Sequence, residues 1–369
     1  MHRRARRCAL RRRVFYFHGF DPASTARYQR IFAAASERFR VAIAPLEDGT
    51  DGWQATRDAC NAQVRYLRYE DLVRTYQSGG LLARLGRGIR TLLGYAAEGA
   101  LGALTLRTVV LMLAPYLTAF APVLGIALLS NNSTALAVAV GFGLVLATYF
   151  LLARYRVILV CDLFAYMREL AQGTGPAHEA HSARLGELSG HIAWDDADET
   201  LVIGHSLGGI AAIRAVADTL ERLPAGKSLG LLTLGSVHGI VLAQKGGGRD
   251  LLATAIAQIC ADPRVFWVDV SSPRDAFCVP LTDPLLLIGD LARDHMISPK
   301  LISAQLKRAP AIPGDRRTVF PAMRRHMGYL LAPIEGSGFD YADTVTGPQD
   351  LRTRFGARNN SPKARLWRG

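Results

Sequence analysis

Apolar and polar positions along this chain switch repeatedly between the two-residue period of strands and the 3.6-residue period of helices. From Thr200 to Leu220, a short apolar run, Leu201-Val202-Ile203, has the look of a strand buried on both faces. It gives way to Ile210, Ile213, Val216 and Leu220 at helical spacing. Upstream, Arg13 to Phe17 predicts a first strand, Ala23 to Phe39 a helix with Tyr28, Ile31, Phe32 and Ala35 on one face, and Arg40 to Pro45 a second buried strand. This is a βαβ pattern, in which right-handed crossovers set the strands side by side and parallel. Downstream, Leu229 to Ser236 predicts a strand, Arg249 to Ala261 a helix, Arg264 to Val270 a strand, and Arg317 to Met323 the last strand. The fold class is α/β, a mostly parallel sheet flanked by helices.

A long insertion, residues 47–193, interrupts that rhythm. Trp53 to Tyr76 is mixed and polar and is expected to be helical. Leu81 to Leu93 places Leu82, Leu85, Ile89 and Leu92 on one stripe with Arg84, Arg87 and Arg90 off it, a pattern that suits a helix in a lipid headgroup layer or one covering a protein core. Thr108 to Ser130 and Thr134 to Ala153 are 23 and 20 residues without a charge, and about 20 suffice to cross a bilayer. Separated only by Asn131-Asn132-Ser133, they predict a transmembrane helical hairpin; a buried apolar cap is the alternative. Arg84, Arg87, Arg90 and Arg107 precede the pair and Arg154 and Arg156 follow it, so the positive-inside rule puts both ends in the cytoplasm. Val157 to Leu170 suits a buried strand or a helix, its amphipathic second half favouring the helix, and Ala183 to Trp194 is expected to be a helix.

Composition narrows the function classes. The chain has 369 residues, half of them hydrophobic, and a net charge of +13. Part of that charge sits in the opening MHRRARRCALRRR, which suits anionic phosphates, yet no aromatic and basic interleaving marks a nucleic-acid module. Five scattered cysteines without a C-x-x-C pair argue against a disulfide framework and a zinc ribbon, and for a reducing compartment. VFYFHGF is too short and too aromatic for a signal-peptide core. His178 and His181 stand three apart, not the four of H-E-x-x-H, and the sequences around Lys227 and Lys245 lack the phosphate-loop pattern. No metal and no cofactor is expected.

The chemistry centres on Gly204-His205-Ser206-Leu207-Gly208-Gly209, between the predicted strand and helix. So tight a reversal strains the central residue and is tolerable only with glycines two positions either side, leaving Ser206 at the tip. With its strand and helix, this G-x-S-x-G turn resembles the nucleophile elbow of the α/β-hydrolase superfamily, lipases and esterases included. The resemblance covers residues 13–46 and 194–333. It implies an oxyanion hole from the N–H groups of Phe20, after the strand ending in His18-Gly19, and of Leu207. It also implies a carboxylate and then a histidine downstream. Asp275 takes the acid's place, ahead of Asp269 and Asp283; His326 takes that of the base, ahead of His238 and His295. The expected organisation is a basic segment 1–12, a catalytic domain 13–46 and 194–333, the insertion 47–193, and a loosely ordered basic tail 334–369. The expected activity is a membrane-anchored serine hydrolase, its partner the lipid bilayer, its substrate an ester or thioester with an apolar or lipid-like acyl group. An inactive membrane scaffold and an acyltransferase are the alternatives.

Overall fold

The computed structural model describes residues 10–22, 25–58, 60–116, 139–144, 147, 158–192, 197–306, 311–313, 321–331 and 338–361. These residues form the strands β1 (Leu10–Phe17), β2 (Ala42–Ala44), β3 (Gly52–Arg57), β4 (Cys60–Leu67), β5 (Glu199–His205), β6 (Leu229–Leu234), β7 (Val265–Ser271) and β8 (Lys300–Ser303). All lie in one sheet, ordered β2-β3-β4-β1-β5-β6-β7-β8. Only β3 runs against its neighbours. An α/β fold with a mostly parallel sheet is therefore present.

Strand alternation divides the sheet between two cores. Phe15, Phe17, Val202 and Leu231 face one side, Val14, Tyr16, Leu201 and Ile203 the other. The second side is covered by α1 (Thr25–Ser36) and by chain from the C-terminal region. The first is covered by α2 (Glu70–Gln77), α3 (Leu81–Ala97), α4 (Ile158–Gln172), α5 (Pro176–Gly190), α6 (Gly208–Thr219), α7 (His238–Leu242) and α8 (Gly247–Ala261). The insertion thus supplies part of the wall of the main core: Tyr95, Phe164 and Tyr166 share a cluster with Ile210 and Ile256.

The first half of the sheet departs from the expected pattern. The second strand is a three-residue edge paired antiparallel to β3, because the chain turns straight back through Gly49 and Gly52, both at positive φ, instead of crossing over. The expected helix over 53–76 is β3, β4 and only then α2. Its period of two was diluted by the outward residues: Cys60, Ala62 and Val64 of β4 are buried, while Asn61, Gln63 and Arg65 between them are not. The insertion accordingly begins after Leu67.

The C-terminal part differs as well. The sheet ends in β8, and the expected last strand is helical where described, in α9 (Pro321–His326); its first residues, 317–320, lie outside the described set. The expected loose tail contains α10 (Tyr341–Thr346) and α11 (Leu351–Phe355), which bury Tyr341, Val345, Leu351 and Phe355. A fully buried Arg12, expected in the basic segment 1–12, holds this region. Its guanidinium donates to Glu199, to the Val345 carbonyl, to Gly347 O at 3.2 Å and to Gln349 O at 2.7 Å. Glu199 completes the knot by accepting the Leu351 N–H at 2.7 Å.

Among the described residues no helix is long and apolar enough to cross a membrane. The expected spans lie largely outside those residues, with only 108–116, 139–144 and 147 inside. Residues 106–116 are helical, and Thr108 and Met112 pack on the protein.

Replacing Arg12 strands the Glu199 carboxylate in the interior, at a cost of about 3–5 kcal/mol. Arg12→Leu is expected to lose stability of that order in urea titrations, with residues 338–361 becoming the first site of limited proteolysis.

Candidate active site

The order of strands reverses at the centre. After β1 the chain crosses to the far edge and builds that half of the sheet back inward, β2 to β4, then starts the other half at β5 and builds it outward, which puts the switch point at the carboxyl ends of the adjacent parallel strands β1 and β5. Both loops of interest start there, His18 to Asp21 after β1 and the Ser206 turn after β5.

Ser206 has φ +58°, a left-handed conformation rare for a residue with a side chain. Close packing on every side holds it so. A Cβ at Gly204 would run into Gly208 O and Gly209 Cα, one at Gly208 into the Phe17 and His18 carbonyls, and one at Gly209 into the Ser236 side chain. Gly19 leans on the same turn, its ideal Cβ position 3.0 Å from Ser206 Cβ. The Ser206 N–H donates to Leu234 O at 2.9 Å, and its carbonyl accepts from Gly209 N at 3.0 Å. Among the described residues neither the Phe20 nor the Leu207 N–H has a hydrogen-bond partner.

His326 and Asp275, 51 positions apart in sequence, meet. His326 Nδ1 donates to Asp275 Oδ2 at 2.7 Å, both side chains being buried, and this bond fixes the tautomer so that Nε2 carries the lone pair. Nε2 is buried without a hydrogen-bond partner. Burial alone would raise the Asp275 carboxyl, but the charge and hydrogen bond of His326, the Phe277 N–H at 2.9 Å and the Tyr329 hydroxyl at 2.9 Å together hold it below the usual range. The Tyr329 hydroxyl is in turn pushed well above its ordinary value, by burial first and then by Asp275.

The end of α9, which carries His326, is tied to the Ser206 turn by His205, the residue before Ser206. His205 Nε2 donates to the His326 carbonyl at 3.1 Å, with the ring centroids 5.1 Å apart. Burial, reinforced by the positive potential of His326, lowers His205 to about 3, so it stays neutral and its N–H remains a donor. On the other strand His18 stacks between Tyr66 and Tyr69, at 5.2 and 4.0 Å, and its ring is bonded to Gly19 O at 2.7 Å. The Tyr69 hydroxyl donates to the His18 carbonyl. The peptide ahead of Phe20 is thereby braced from two sides.

The remaining candidates are elsewhere. Asp269 accepts from Thr233 Oγ1 at 2.6 Å and does not meet His326; Asp283 caps a short 3₁₀ turn through the Leu285 N–H at 3.0 Å. His238 bonds Ser236 Oγ at 2.9 Å, and His295 is exposed. Asp275, first in the sequence reading, is the acid that the structure joins to His326. The sequence reading overlooked His205 and Tyr329. Tyr329 stands three positions after His326, a helical spacing that puts both on one face; His205 offered no signal beyond its place in the turn. Among the described residues, no group of three or more His, Cys, Asp or Glu side chains could hold a metal ion.

Comparisons with protein-family models, curated proteins and solved structures find no match.

The buried histidines make stability pH-dependent. Burial lowers His18 to about 4 and His181 and His205 to about 3, against an ordinary 6.5. Below pH 6.5 the unfolded chain therefore takes up protons that the folded chain does not, and stability falls with pH until about 4. Three such groups give a slope approaching ~4 kcal/mol per pH unit. Asp269, whose carboxyl burial raises, opposes them with at most one proton. Urea midpoints measured from pH 7 to pH 4.5 should fall steadily, and should fall less for His181→Phe.

Proposed function

We propose that this chain is a serine hydrolase of the α/β-hydrolase kind that cleaves carboxylic esters or thioesters. The observation that carries this reading is the buried His326–Asp275 pair at 2.7 Å, tied through His205 to a serine at positive φ. Ser206 Oγ attacks the acyl carbonyl while His326 Nε2 takes its proton, and Asp275 holds the imidazole and stabilises the imidazolium. The Phe20 and Leu207 N–H groups receive the oxyanion at the mouth of α6, where the helix dipole favours negative charge. His326 then returns the proton to the departing alcohol or thiol, leaving an acyl-enzyme. Water, deprotonated by the same imidazole, releases the acid and restores Ser206.

Membrane anchoring through the hairpin 108–130 and 134–153 belongs to the same proposal. The uncharged length of these segments and the arginines at both ends support it. The substrate class follows from location. The Thr108 hydroxyl, where the first apolar segment begins, donates to the carbonyl of Ala276, the neighbour of Asp275, so the anchor starts on the acid loop itself. A site held so close to the lipid meets esters with apolar acyl chains first.

A fluorophosphonate probe should label the parent and not Ser206→Ala. Asp275→Asn should keep its fold by circular dichroism while ester turnover falls by roughly 10⁴-fold, as expected when the imidazole loses its orienting carboxylate. A folded, detergent-extracted parent that resists the probe would overturn the reading in favour of a non-catalytic scaffold.

A further inference from the structure

The amphipathic helix α3 splits the apolar stripe read from its sequence: Leu92 packs on the core while Leu82 and Ile89 are exposed. Arg84 and Arg87, which stood off that stripe, point into the protein. Arg84 Nε donates to Asp162 at 2.8 Å and Arg87 Nη2 at 3.1 Å, and this carboxylate of α4 is fully buried. Arg87 also lies over the Tyr76 ring at 4.5 Å and donates to the Tyr76 carbonyl. Gly88, Thr91 and Tyr95 complete the inward face.

The outward face carries leucines. Leu82 is 84% exposed, Leu93 65% and Ile89 45%, and all three share one side of the helix. The helix at 106–116 repeats the arrangement: Thr108 and Met112 are buried, while Leu106 is 79% exposed and Val110 51%. The two helices adjoin, since the Tyr116 hydroxyl donates to the Leu85 carbonyl at 2.7 Å. Exposed apolar area gathered on two neighbouring elements marks an interaction surface. Arg90 and Arg107 are the exposed cations of these faces, and long side chains of this kind can lay their stems on apolar surface while the charge reaches phosphate.

We infer that α3 and residues 106–116 form a platform that meets the surface of the bilayer, its exposed leucines among the acyl chains of the near leaflet and Arg90 and Arg107 at the phosphates. This rests on the anchoring proposed above and deepens it. The occupant is lipid because the sequence after this second helix stays uncharged as far as Ala153, so the apolar character of the exposed face is carried on along the chain. The Arg84–Arg87–Asp162 cluster holds the platform against α4. That helix carries Tyr166, whose ring lies 5.3 Å from Phe20, next to the proposed oxyanion donor.

Single cysteines at Leu82, Leu93, Leu106 and Val110 can test this in the full chain, labelled with an environment-sensitive maleimide. Cys60, Cys161, Cys260 and Cys278 are buried, and Cys8 is replaced by serine. Thr353→Cys, exposed on the opposite face of the sheet, serves as control. The proteins are reconstituted into phosphatidylcholine and phosphatidylglycerol vesicles with or without brominated acyl chains. The platform requires that labels at all four positions shift to shorter wavelength and lose emission to bromine while the control does neither. Protein that floats with vesicles but keeps its four labels unquenched overturns the platform and leaves the anchor standing. Protein that does not float at all overturns both. Blue-shifted labels without lipid, with energy transfer between labelled copies, would assign the surface to a second copy of the chain.

Discussion

The backbone reversal at Ser206 is the constraint around which the rest is arranged. A side-chain-bearing residue in the left-handed region costs of order 1–3 kcal/mol and persists only if its surroundings leave no alternative. Here the surroundings are carbonyls from the end of β1 against Gly208 and the Ser236 side chain against Gly209. The glycines let β1, β5 and α6 approach one another more closely than any Cβ would permit. That approach in turn brings the loop carrying Phe20 against the serine.

Once the turn is fixed, the polar groups around it are held by bonds to backbone as much as to one another. The Asp275 carboxylate accepts from a main-chain N–H, an imidazole and a phenol, His205 donates to the carbonyl of His326 at the end of α9, and Tyr69 to one of the β1 loop. In a buried setting each of these is strong, and an unpaired group would be costly. The His326 nitrogen facing away from Asp275 is left without a hydrogen-bond partner, as are His205 Nδ1 and His18 Nε2 on the two sides of the turn.

Much of this could be read from the residues because the elbow is local. Strand, turn, serine and helix occupy Thr200 to Leu220, and their periods are clean since β5 is buried at every position. His326 and Asp275 were reached only by analogy of chain order, and the structure joins them. Long-range features left no such trace. β4 hid its alternation behind Asn61, Gln63 and Arg65, and Arg12 looked like one more arginine of a basic run although it sits at the heart of a buried knot. The orientation of α3 is open in the sequence between lipid headgroups and a protein core, because nothing local shows that its arginines have a buried partner. A single buried aspartate on a helix some 75 residues away decides it.

The Arg12 knot has a consequence for how the molecule comes into being. The strand near the middle of the sheet, β1, precedes the other strands described, yet its Arg12 guanidinium finds its last partners at Val345, Gly347 and Gln349, more than 330 positions later. Closing so large a loop comes late on any route and slows folding. During synthesis the central strand must wait beside an apolar insertion without its seal, so the nascent chain passes through a stage at which chaperones have most to offer it.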